Sequence, residues 1–250
     1  MSSTNVIVQS TYGPIIVNVN DRQISQSIFQ KNYWSLPHIK LIKELLDIQI
    51  KKHNSIIYYD VGANLGTHTL PFSKIYNDKI LIRSFEAQRR IYYMLCGTMA
   101  INNITNVFCY NKAVSEINDH SIEFNLPDYS VMNNFGGVSL EKTSSLEEKL
   151  IITEQKEKVK TINIDSFNEK VDFIKIDVEG MENKVLKGAV NTITNHKPYV
   201  FLELTKSDTD FIKKFFQDKN YNCFQFRNDA VFCPISDKVN IKAEGVEKIF

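Results

Sequence analysis

The residue types best suited to chemistry stand in Asp60-Val61-Gly62-Ala63-Asn64-Leu65-Gly66. The apolar run Ile56-Ile57-Tyr58-Tyr59 precedes them, as expected of a strand buried on both faces. A helical stretch over about 67–76 follows. Gly62 lets the chain turn tightly, and Gly66 lets a helix or a ligand approach the backbone. The helix start supplies free N–H groups beside Asn64. The spacing is Gly-x-x-x-Gly, not the Gly-x-Gly-x-x-Gly of a dinucleotide site. No Lys-Ser/Thr follows, so it is no P-loop either. A pyrophosphate ligand is disfavoured.

Glu86 ends the next apolar run, Ile80 to Phe85, where an acid can accept hydrogen bonds from two ribose hydroxyls. Asp60, beside the glycine turn, favours a cationic amine or sulfonium over a phosphate. A glycine turn with an acid at each of two strand ends describes a site for an adenosine carrying a positive amino-acid tail. That ligand is S-adenosylmethionine (SAM).

A third segment is Ile174-Lys175-Ile176-Asp177-Val178-Glu179-Gly180. Its period of two puts the aliphatic residues on one face and Lys175, Asp177 and Glu179 on the other. A buried charged row is costly unless its charges pair, which suits a Lys175–carboxylate pair. Asp177 stands where the strand opens toward a ligand and is read as functional. Glu203 ends the neighbouring strand and could face the same cleft. Three acids on adjacent strand ends could hold Mg²⁺, but no further ligand pattern asks for a metal and none is assigned. His68, one turn into the first helix, is either a base or substrate contact or a histidine that packs or caps locally.

The elements that must position these residues alternate. Apolar runs at 56–61, 80–86, 107–110, 171–177 and 199–204 are strands. Helical patterns fall at about 67–76, 88–102, 182–194 and 208–219, the last with Phe211, Ile212, Phe215 and Phe216 on one face. This order means βαβ units and a mostly parallel sheet. The end differs: 222–226 and 230–233 read as an antiparallel hairpin. Ahead of the sheet, residues 1–53 form an appendage of a hairpin and a helix, and 54–250 form the main domain. An irregular insertion covers about 118–160. Its Asn133-Asn134-Phe135-Gly136-Gly137 suggests backbone in special conformations overhanging the site, and Lys142 to Lys160 reads as solvated loop.

With 250 residues, 43% of them apolar, and 16 Phe, the chain can bury a large core. The net charge of +1 does not suggest duplex DNA or an anionic membrane as partner. No apolar run reaches a membrane span, and the first residues lack the pattern of a secretory signal. Cys96, Cys109, Cys223 and Cys233 form no C-x-x-C pair, which argues against zinc. They read as reduced thiols of a cytoplasmic protein, although Cys223 and Cys233 flank the hairpin and could lie across from each other.

These residues resemble the FkbM-type methyltransferases, within the class I SAM-dependent methyltransferases. The resemblance lies in Asp60 to Leu70, Phe85-Glu86-Ala87-Gln88, Ala100 to Val107, Ile174 to Gly180 with Val185-Leu186-Lys187-Gly188-Ala189, and Lys197-Pro198-Tyr199. Asp21 and Trp34 in the front section also fit. The resemblance implies a Rossmann-like seven-stranded sheet with helices on both faces and its last strand antiparallel. It implies a ribose contact at Glu86 and adenine contacts near Lys112-Ala113-Val114. Ala87-Gln88 and Thr98 depart from the family pattern. The expected activity is SAM-dependent methyl transfer, first to a hydroxyl of a sugar, glycan or small molecule. Cofactor residues are Asp60, Gly62, Asn64, Gly66, Glu86, Ala113 and Asp177; Asp177 or His68 is the base. Alternatives are N-methylation, a nucleic-acid or protein acceptor, a non-catalytic SAM-fold module, and a nicotinamide dehydrogenase, against which the glycine spacing and terminal hairpin count.

Overall fold

A computed structural model describes residues 4–140 and 150–250. Its centre is an eight-stranded sheet. In chain order the strands are β3 (Ile56–Val61), β4 (Ile80–Phe85), β5 (Val107–Tyr110), β9 (Phe173–Ile176), β10 (Tyr199–Glu203), β11 (Tyr221–Phe226), β12 (Asp229–Pro234) and β13 (Val246–Lys248). Across the sheet the order is β13-β11-β12-β10-β9-β3-β4-β5. Neighbours from β5 to β10 are parallel, and β12 enters antiparallel between β10 and β11. The expected seven strands are present. An eighth, β13, covers the edge that β11 would otherwise leave open.

Alternation along the buried strands splits the core in two. Tyr59, Val61, Ile174, Ile176, Val200 and Leu202 face α5 (Glu182–Lys187), α6 (Val190–His196) and α7 (Thr209–Gln217). Tyr58, Phe173, Tyr199 and Phe201 face α2 (Leu36–His53) and α3 (Thr69–Tyr76), where Ile39, Leu41, Ile42, Leu45 and Leu46 of α2 are buried against them. Each fully buried side chain of this size contributes about 1.5–3 kcal/mol. The helix expected over 182–194 is broken at Gly188. Two short helices result, and glycine at 188 lets the chain pass close to the Ser115 carbonyl oxygen, which a Cβ would approach to 2.2 Å.

The front hairpin, β1 (Asn5–Ser10) and β2 (Gly13–Asn18), packs on α4 (Arg89–Ile101), and α1 (Ile24–Lys31) follows it. Thr98 has a clear role here, since its Oγ1 accepts from the Ile16 N–H at 3.1 Å. The insertion is more regular than expected. β6 (Ala113–Val114), β7 (Ser121–Pro127) and β8 (Ile152–Ile162) form a three-stranded sheet. The Lys/Glu-rich stretch is a strand because its charges alternate: Lys156, Lys158 and Lys160 point out, while Glu157, Val159 and Thr161 are buried. Residues 141–149 lie outside the described residues.

All four cysteines are free. Cys223 faces Phe232, one position off Cys233, so the two thiols point to opposite faces of the sheet. Among the described residues no helix is long and apolar enough to cross a membrane.

Candidate active site

A cavity of about 310 Å³ opens over the carboxyl ends of β4, β3, β9 and β10. Strand ends at the middle of a parallel sheet are where α/β folds bind ligands. The floor carries Gly62, Asn64, Glu86, Ala113 and Asp177 of the expected cofactor residues, with His68 and Glu203. Lys112 and Val114 line the same end as Ala113.

Gly62 is held at φ +78°, and a Cβ there would meet the Asp177 carbonyl oxygen at 1.8 Å. Only glycine lets β3 turn this close to the end of β9. Asn64 is left-handed at φ +50°, which aims its N–H at Glu86 Oε2, 3.0 Å away. Glu86 Oε1 accepts the Gln88 N–H at 2.9 Å. Burial pushes the Glu86 carboxyl up to about 7 despite these two bonds.

Two expected cofactor residues lie outside the cavity lining. Gly66, at φ +87°, turns its open side to Leu95 and Met99 of α4, so of the two approaches allowed for it the helix is the one made. Asp60 is fully buried. Its Oδ2 accepts from Thr69 Oγ1 at 2.7 Å, and its Oδ1 lies 3.3 Å from Lys175 Nζ. Its charge is therefore spent inside the fold. Lys175 also reaches Asp177 Oδ2 at 3.4 Å and donates to the Gly62 carbonyl at 3.2 Å. Burial alone would lower the lysine's pKa, but the Asp177 and Asp60 carboxylates outweigh it and hold the ammonium charged. The expected lysine–carboxylate pair is thus a triad, with Asp60 and Lys175 buried and Asp177 at the rim, that ties the ends of β3 and β9 together.

His68 is buried just ahead of α3, with Nε2 unpartnered. Burial, then the Lys175 charge, hold the imidazole far below its ordinary value, so it is neutral. Asp177, Glu179 and Glu203 bring one carboxylate oxygen each within 4.8 Å of one another. Glu179, itself at φ +56°, pairs with Lys206 at 2.6 Å. Burial, then the charges of Asp177 and Glu179, push the Glu203 carboxyl up to about 9.

Sequence reasoning assigned no task to several residues that shape the site. Glu182 is buried and accepts the N–H groups of Val178 and Gly180, holding the turn that presents Asp177 and Glu179. The roof comes from two distant segments: Gln23, Ile24 and Trp34, then Asn134, Gly136 and Leu140. Backbone bonds join them, Arg22 N–H to Asn133 O at 2.8 Å and Asn133 N–H to Asn20 O at 2.9 Å. Asp21 caps α1 by accepting the Ser25 N–H at 2.7 Å. Gln88 fastens the second segment by donating to the Phe135 carbonyl at 2.8 Å. Its only sequence signal was the departure from the family pattern. The 133–137 segment does overhang the cavity, but Gly136 and Gly137 are not left-handed. Space selects them: a Cβ at 136 would meet Asn64 Nδ2 at 3.1 Å, and one at 137 would meet Asn134 Nδ2 at 2.7 Å.

Residues 60–223, which include every floor residue named above, match the Methyltransferase FkbM domain. The chain belongs to the FkbM methyltransferase family. Among solved structures, methyltransferase FkbM from Methylobacillus flagellatus KT aligns with a TM-score of 0.52 at 16% identity, over 72% of this chain and 44% of that one. The chain thus spans less than half the length of that relative. TYW2 of M. jannaschii in complex with AdoMet aligns at 0.45 and 13% identity, over 94% and 88%. A SAM-dependent methyltransferase from Aquifex aeolicus aligns at 0.44 and 13%, over 86% and 94%. No curated protein sequence matches the chain. Membership of this family brings SAM forward as the cofactor to test against the site. The residues present fit that group: buried Glu86 faces the cavity at a strand end, and the buried, unpartnered Nε2 belongs to His68 on the same lining.

Proposed function

We propose that this FkbM domain methylates a hydroxyl of a sugar, glycan or other small molecule, using SAM bound over β3, β4 and β9. The observation that carries this is the roofed cavity with Glu86 at one end and Asp177, Glu179 and Glu203 at the other. Carboxylates accept hydrogen bonds from neighbouring hydroxyls, which suits a polyhydroxylated acceptor. SAM supplies an electrophilic methyl on a sulfonium. The chain's own task is to align the acceptor and exclude water. Glu86 takes the ribose hydroxyls. The backbone at Gly62 and Asn64 passes the amino-acid tail, and Ala113 borders the adenine. Lys175 neutralises Asp60 and fixes Asp177. Asp177 and His68 are the proposed catalytic residues that touch the acceptor. Asp177 accepts from an acceptor hydroxyl beside the one that is methylated, and His68 offers its unpartnered Nε2. The acid cluster would also hold an ammonium, which keeps an amine acceptor as the second candidate.

The test is calorimetric titration of SAM and S-adenosylhomocysteine, with NAD as control, into wild type and Glu86→Ala. Micromolar SAM binding that Glu86→Ala loses is expected. Transfer of tritiated methyl from SAM to a panel of monosaccharides, oligosaccharides and amines then identifies the acceptor class. Absence of SAM binding, or label reaching amines alone, would overturn the hydroxyl assignment.

A further inference from the structure

Three carboxylates meet at the acceptor end of the cavity, but only two have a cation. Asp177 has Lys175 at 3.4 Å and Glu179 has Lys206 at 2.6 Å. Glu203 has no cation at ion-pair distance among the described residues, and its side chain accepts only from Thr205 Oγ1, at 3.2 Å. The groups that face it deepen the deficit. Asp177 and Glu179 come from the turn after β9, Glu182 from α5, and Asp229 from β12 as its register partner. Asp229 is already paired with His38 Nε2 of α2, at 2.7 Å. Lys175 is held by Asp60 and Asp177, Lys206 by Glu179, and His68 is neutral.

We propose that Glu203 takes the acceptor's proton, and that the counter-ion missing from its surroundings is the positive charge of the methyl donor. The proposal rests on the SAM site argued above. Glu86 follows β4 and Glu203 ends β10, three strand spacings apart, or about 14 Å. A donor with its ribose at Glu86 and its tail across Gly62 lays its sulfonium between them, with the acceptor at the Glu203 end. In the transfer the acceptor oxygen forms a bond to the methyl carbon. The carbon–sulfur bond breaks with its electron pair left on sulfur, and the hydroxyl proton passes to the Glu203 carboxylate. Sulfonium, carboxylate and alcohol become thioether, carboxylic acid and ether, so charge and protons balance. Without the donor's charge Glu203 stays protonated near neutral pH, and donor binding expels that proton before each turnover.

The test needs no acceptor. SAM is titrated into the protein at pH 8.5 in two buffers of different ionisation enthalpy, where Glu86 is already largely ionised and Glu203 is not. Release of roughly half a proton or more per SAM bound is expected. S-adenosylhomocysteine, which lacks the sulfonium, should release far less, and Glu203→Gln should bind SAM without the release. Equal release by Glu203→Gln and wild type would overturn the assignment. If Glu203→Gln does not fold, wild type scanned from pH 6 to 9.5 gives the answer: a second maximum of release above pH 8 supports Glu203, and a single maximum near Glu86 overturns it. A wild type that binds no SAM at any pH overturns the site itself, and Glu203's role with it.

Discussion

The Tyr129 hydroxyl donates to Gln88 Oε1 at 2.9 Å, and both side chains are buried. Gln88 also donates to the Phe135 carbonyl and offers its own N–H to Glu86. One residue thus joins the ribose-side acid to two points of the roof. Gln88→Ala leaves the Tyr129 hydroxyl and the Phe135 carbonyl without these partners, at a cost of about 1–3 kcal/mol each if they stay buried. The expected outcome is faster amide hydrogen exchange across 128–140 with weaker SAM binding and unchanged exchange in β3 and β9. Unchanged exchange over 128–140 would show that Gln88 does not fasten the roof.

Glu86 makes donor binding pH-dependent. Its carboxyl is raised to about 7 by burial, and only the ionised form accepts from both ribose hydroxyls. As pH falls through 7 the group takes up a proton, so Glu86 by itself should add a loss of SAM affinity approaching tenfold per pH unit. The folded state holds this proton more tightly than the unfolded chain does. In the absence of donor, Glu86 therefore lowers stability as pH rises from its ordinary range to 7. Titrations from pH 5.5 to 8 should show a break near 7 in wild type and none in Glu86→Gln.

Lys175 is the costliest single charge to remove. It is 2% exposed and faces Asp60, which is fully buried, and Asp177. Lys175→Met leaves two carboxylates without their shared cation, and destabilisation of about 3–5 kcal/mol is expected from denaturant unfolding. A change under about 1 kcal/mol would mean that the carboxylates find other compensation.

The two glycines of the first motif face different neighbours. Gly62→Ala drives a Cβ into the Asp177 carbonyl, so it should both loosen the β3–β9 junction and abolish SAM binding. Gly66→Ala meets the flexible ends of Leu95 and Met99 at an unfavourable φ. It should cost stability by more than about 1 kcal/mol while the surviving folded protein still binds SAM. Thermal melts beside SAM titrations distinguish the two.

The floor of this site was legible in the sequence because strand periodicity carries it. Once β3 and β9 are placed, the alternation of Asp60, Lys175 and Asp177 puts them on one face, and the Lys175 pair follows. What the pattern does not encode is depth. Asp60 and Asp177 share a face, yet Asp60 lies inside the sheet and Asp177 at its rim, a difference of position along the strand that residue types do not reveal. Gly66 was ambiguous for a similar reason: spacing allowed a ligand or a helix, and only the seating of α4 selects the helix. The roof was least legible. Asn133 meets Asn20 and Arg22 through main-chain atoms, which leave no mark in the side chains. β8 was taken for loop because its charges, read as a run, hid a two-residue period.

That backbone-held roof has an evolutionary consequence. The floor is bound to sheet register, so its residues can drift little without losing the methyl donor. The roof is fixed largely through peptide groups at Asn20, Arg22 and Asn133, and the side chains it lowers into the cavity, among them Ile24, Trp34 and Leu140, are open to exchange. On the donor site proposed above, a laboratory library confined to those three positions is expected to change the acceptor while SAM affinity stays close to that of wild type.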